Sequence, residues 1–180
     1  MSTAPKITTL GHRELTTINN QHYQRKKGTE EWIPYYPDTP PSALASGPEP
    51  VYLSLIREAQ GPGEPHHWAL FVARENQSGY VYQVKGDAEF MSYEPSEGVV
   101  GLEVLEGRVD VFVLGVLEAG RGEEMVRRVA GEESPPKARS RREVRENCQG
   151  WVVRVLERLV GAGVLGEEKL GMVRGMMEPV

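Results

Sequence analysis

The segment from Asn147 to Val160 constrains the fold most, because its apolar residues suit one secondary structure. Trp151, Val152, Val155, Leu156, Leu159 and Val160 recur at i, i+1, i+4 and i+5, which is the spacing of a helix with a single buried stripe. Asparagine is a favoured N-cap, so Asn147 marks the start. Cys148, the only cysteine, lies on the same stripe one turn before Val152. The positive end of the helix dipole and the free N–H groups of the first turn favour a thiolate there. The helix brings no base of its own.

The candidate base lies far upstream, in Pro65-His66-His67-Trp68-Ala69-Leu70-Phe71-Val72. This run is short and apolar. Gly61-Pro62-Gly63 bounds it on one side and the polar loop Arg74 to Gly79 on the other, and a second strand follows over Tyr80 to Val84, so the pair predicts a hairpin. Symmetric pairing about the loop puts His67, Ala69 and Phe71 on one face with Val81 and Gln83, and makes Gln83 a diagonal neighbour of His67. A histidine held by a polar side chain and aimed at a helix-terminal cysteine can take the thiol proton and return it to a leaving group.

HWALFV, a loop, GYVYQV and, much later, NCQGW opening a helix together resemble the circularly permuted papain-like thiol enzymes. In these the histidine strand precedes the cysteine helix. The lecithin:retinol acyltransferase group and its phospholipase/acyltransferase relatives, within a superfamily that includes NlpC-like proteins, carry a similar H-W-A strand and N-C-x-x-F/W helix start. The PPPDE peptidases share the second motif. The resemblance spans about residues 51 to 165 and implies an α+β, permuted papain-like domain with a small antiparallel sheet packed against a cysteine-bearing helix. It implies a thiol-dependent hydrolase or acyltransferase, acting on an amide, ester or thioester carbonyl through a Cys148 acyl-enzyme with His67 as base and acid, and no cofactor. Gln83 stands where the acyltransferases place a second histidine. A glutamine can orient His67 but cannot share its charge, so Asp87, of the same parity, is an alternative third member.

Plainer roles stand beside these. A lone cysteine is commonly a small buried hydrophobe. Adjacent strand side chains point to opposite faces, so at most one of His66 and His67 meets Cys148; His67 directly precedes Trp68, as in the family motif. Trp68 and Trp151 are candidates both for core packing and for substrate binding. The alternative functions are a non-catalytic binding module on the same fold, or an acyl-transfer enzyme of small-molecule biosynthesis whose carrier- or tRNA-linked donor is held by the basic Lys137 to Arg145 segment. The expected partner is a small-molecule, peptide or acyl substrate.

With 180 residues, 39% of them hydrophobic, the chain can bury a real core. A single cysteine excludes an internal disulfide. No stretch approaches the ~20 apolar residues of a membrane span, and the N-terminus lacks a basic-then-apolar leader, so the expected compartment is cytoplasmic. A net charge of −5 argues against nucleic acid, and the local cluster Lys137, Arg139, Arg141, Arg142 and Arg145 reads as a solvated surface. His12, His22, His66, His67 and Cys148 show no paired spacing of metal ligands, so no metal is expected. Phosphate-loop, dinucleotide and G-x-S-x-G patterns are absent.

Prolines at 34, 37, 40, 41, 48 and 50 predict a loop-rich Pro-rich N-terminal arm over residues 1–50, with Met1 to Lys6 disordered. The catalytic domain follows over 51–180. Within it the sequence predicts strands at Val51 to Arg57, in the hairpin and at Val109 to Leu117, with Leu102 to Leu105 as a companion. A helix over Glu123 to Ala130, a mobile connection over Gly131 to Arg142 and a glycine-broken helix in Gly161 to Val180 complete the reading.

Overall fold

The computed structural model describes residues 7–10, 13–18, 21–30, 32–35, 50–102 and 109–180. Its central sheet is built from the segments richest in β-branched and aromatic residues: β5 (Val51–Glu58), β6 (His67–Arg74), β7 (Tyr80–Tyr82) and β10 (Val109–Leu117). Their order is β10-β5-β6-β7, with every pair antiparallel. The hairpin register pairs Leu70 with Tyr82, Phe71 with Val81 and Val72 with Tyr80. That is the symmetric pairing read from the loop. The predicted second strand splits at Gln83: after β7 the chain leaves the sheet and forms a separate ribbon of β8 (Val84–Asp87) and β9 (Phe90–Tyr93).

Alternation along β6 sorts its side chains between two layers. Trp68, Leu70 and Val72 join Leu53, Leu55 and Leu114 under the helices, whereas Ala69, Phe71 and Ala73 join Ile56 and Val81 on the other face. Helix α1 (Arg121–Glu132), helix α2 (Cys148–Gly161) and helix α3 (Glu167–Arg174) cover the first layer. The fold class is therefore α+β. The stripe read from sequence is the face that α2 buries: Trp151, Val152, Val155, Leu156 and Leu159 are each 0% exposed. Full burial of each Val or Leu contributes about 1.5–3 kcal/mol, so this face anchors the helix to the sheet.

Two expectations are corrected. Residues of the predicted N-terminal arm form a four-stranded meander of β1 (Thr8–Leu10), β2 (Arg13–Ile18), β3 (Gln21–Lys26) and β4 (Ile33–Tyr35). The strand formers Thr, Ile and Tyr recur over residues 8–26, a stretch that lies between Pro5 and Pro34 and holds no proline. Met1 to Lys6 and the prolines at 37, 40, 41 and 48 lie outside the described residues, as does most of the Leu102 to Leu105 companion strand. The connection from Gly131 to Arg142, expected to be mobile, is tied down: Met91 N donates to Pro136 O at 3.2 Å and Ala138 N to Glu89 O at 2.8 Å.

Gly79 closes the β6–β7 hairpin where no side chain fits, since an added Cβ would collide with the Val72 carbonyl oxygen and the Ala73 Cβ. Gly79→Ala should cost about 1–3 kcal/mol through overpacking, measured as a lower urea midpoint at unchanged slope.

Candidate thiol site

Asn147 caps α2 as its sequence position suggests: its Oδ1 accepts the N–H of Gln149 at 2.9 Å. Cys148 is then the first helical residue, and it is only 4% exposed. Trp68 pairs with Arg57 on its β5 side, but β7 reaches only to Leu70, so the β7 side of β6 is open at this point. The backbone N–H of Trp68 hydrogen-bonds the thiol. Strand N–H groups lie in the plane of the sheet, which places the sulfur at the open end of β6, against the residue directly after His67.

Burial pushes the thiol pKa up. The N–H groups of Trp68 and Gln149 pull it down and the nearby Glu178 carboxylate raises it further, with a net rise above the ordinary value. This corrects the expectation of a favoured thiolate. Desolvation in the core outweighs the helix terminus.

His67 and Gln83 are brought together, with His67 Nε2 at 3.0 Å from Gln83 Oε1. An amide oxygen only accepts, so Nε2 carries the hydrogen and Nδ1 keeps the lone pair that a base needs. Burial lowers the His67 pKa, the Gln83 bond opposes this and Lys85 adds to it, leaving a neutral imidazole at pH 7. Asp87 is elsewhere. It is exposed, accepts the Glu89 N–H at 3.0 Å and faces Arg141 at 3.9 Å. Of the two, Gln83 is the residue bonded to His67.

Trp68 and Trp151 are both 0% exposed. They offer no surface to a substrate, so the binding role weighed for them is corrected to core packing. Trp151 Nε1 donates to Glu133 O at 3.1 Å. Sequence reasoning missed Gln149 and Glu178. The fully buried Gln149 side chain donates to His66 O at 2.9 Å and to Glu178 Oε2 at 2.8 Å. His66 Nδ1 lies 2.9 Å from Glu178 Oε1, so the two adjacent histidines do diverge. A polar residue one turn before the apolar pair Val152 and Val153 was the available signal for Gln149; nothing in the sequence marks Glu178.

A groove of about 610 Å³ runs over Tyr52, Phe71, Ala73, Val111 and Val113 and is lined by none of Cys148, His67 or Gln83. Lys137, Arg139, Arg141, Arg142 and Arg145 are exposed. Among the described residues no group of three or more His, Cys, Asp or Glu could hold a metal ion, and no helix is long and apolar enough to cross a membrane.

Fold and site together define an α+β protein whose antiparallel sheet is capped by a cysteine-headed helix. Residues 53–166 match a family described as a family of unknown function, DUF6540, and the chain belongs to that family. The matched span runs from β5 through α2 and contains both motifs. No curated protein and no solved structure matches the chain.

Proposed function

We propose that this chain is a thiol-dependent hydrolase or acyltransferase of the permuted papain-like kind, with Cys148 as nucleophile, His67 as general base and acid, and Gln83 as the residue that positions His67. The observation that carries the reading is the 3.0 Å bond between His67 Nε2 and Gln83 Oε1, one residue from the N–H that meets the thiol. It fixes the tautomer in which Nδ1 is the base. Because both partners rest neutral, the thiol proton moves to Nδ1 as sulfur attacks the carbonyl carbon. The C–S bond forms, and the oxyanion takes the Cys148 backbone N–H. The imidazolium then gives its proton to the departing amine, alcohol or thiol as that bond breaks. Water, an amine or an alcohol resolves the thioester, again with His67 as base. The substrate is a small-molecule, peptide or acyl donor with an accessible amide, ester or thioester carbonyl.

The test is trapping of an acyl-enzyme from an activated aryl ester, read by intact-protein mass spectrometry. Acylation should map to Cys148, fall in His67→Ala and persist in His66→Ala. Acylation that never reaches Cys148 in the folded protein would leave the binding-module alternative. Gln83→Ala removes one neutral hydrogen bond, worth about 0.5–1.5 kcal/mol, so kcat/KM should fall about threefold to tenfold. A loss beyond about a hundredfold would contradict a purely positioning role.

A further inference from the structure

Beyond α3 the chain makes local turn bonds from Gly175, Met176 and Met177 back to Gly171, Val173 and Arg174. Among the described residues, its hydrogen bonds to the rest of the molecule all come from Glu178. The carboxylate accepts the His66 backbone N–H at 2.9 Å, the His66 ring at 2.9 Å and Gln149 Nε2 at 2.8 Å, and the Glu178 main-chain N–H donates to Gln149 Oε1 at 2.8 Å. His66 Nδ1 must carry its hydrogen to serve the carboxylate, so the Arg57 NH2 group 3.4 Å from that nitrogen contributes positive charge rather than a donated bond. One fully buried glutamine thus reads both the backbone and the side chain of a glutamate.

These contacts have the form of peptide recognition. Met177, Pro179 and Val180 around Glu178 are exposed, while Met176 packs partly buried against the core, so from Met177 onward the segment lies over the surface with Glu178 turned inward. Gln149 follows Cys148 directly, and the Glu178 charge is felt at the thiol. We infer that His66 and Gln149 form a glutamyl-recognition subsite beside Cys148, which Glu178 fills in cis and which reads a glutamate of an extended peptide when the strap leaves. Its meaning as a substrate subsite rests on the thiol-enzyme reading, whereas the binding itself does not.

The test uses the full chain and a fluorescent peptide, Gly-Met-Met-Glu-Pro-Val, with a Gln-containing counterpart, followed by anisotropy. Glu178→Ala should bind the Glu peptide at least about tenfold more tightly than the wild type does, and more tightly than it binds the Gln peptide. Adding Gln149→Ala should erase that discrimination. The near-isosteric Glu178→Gln keeps the main-chain bond to Gln149 and serves if the alanine variant does not fold. Failure of the folded variants to distinguish the two peptides would overturn the subsite. Loss of fold in both would make Glu178 a structural tie and overturn it equally. Peptide discrimination without acylation of Cys148 by any ester would sink the thiol reading alone; acylation without discrimination would sink only this inference.

Discussion

Cys148→Ala should abolish acyl-enzyme formation at the site and lower turnover of any substrate by at least about a thousandfold, because Cys148 is the only thiol in the chain. The fold should survive, since Cys148 acts in packing as a small hydrophobe and alanine leaves only a small gap. The pH dependence has a definite sign. The thiol pKa is raised by burial, so alkylation of the resting protein by iodoacetamide should climb only above the usual cysteine range, and should not persist into acid. The His67 pKa is lowered, by burial first, so the base stays neutral to more acidic pH than a free imidazole. The acid limb of kcat/KM should therefore lie below the ordinary histidine value. Equal acylation rates for Cys148→Ala and wild type would end the mechanism.

The largest expected loss of stability comes from Trp151→Ala, at about 3–5 kcal/mol. The indole is fully buried, contacts the Tyr93 ring at 5.9 Å between centroids and donates to Glu133 O at 3.1 Å. A domain of this size holds about 5–15 kcal/mol in all, so the variant should be substantially unfolded at moderate urea. Trp151→Phe keeps most of the apolar area and loses the N–H. Its smaller loss would separate the packing from the hydrogen bond that ties α2 to the end of α1 in the wild type. Equal urea midpoints for Trp151→Ala and wild type would show that α2 is not anchored where its burial indicates.

The parts legible in the sequence share a local cause. The α2 stripe and the Asn147 cap follow from helical spacing and capping chemistry, and the meeting of His67 with Gln83 follows from strand parity about one loop. Each is set within a few residues of itself. The parts that were not legible depend on distant pairs. Gln149 meets His66 and Glu178 only because β6, α2 and the segment after α3 converge, and the net rise of the thiol pKa reflects the depth of a core that no local motif encodes. The N-terminal strands were hidden for another reason. The prolines of the segment crowd between Pro34 and Pro50, whereas residues 8–26 hold none and keep their strand formers.

The burial of the two core indoles gives the molecule an internal optical gauge. Trp68 lies on β6 and Trp151 on α2, both excluded from water, while the third tryptophan, Trp32, is partly exposed under the Arg25 guanidinium, 4.4 Å from its ring. Emission from the buried pair is blue-shifted and shielded from aqueous quenchers such as iodide. Its colour therefore reports whether the cysteine helix is seated on the histidine strand, without any label attached.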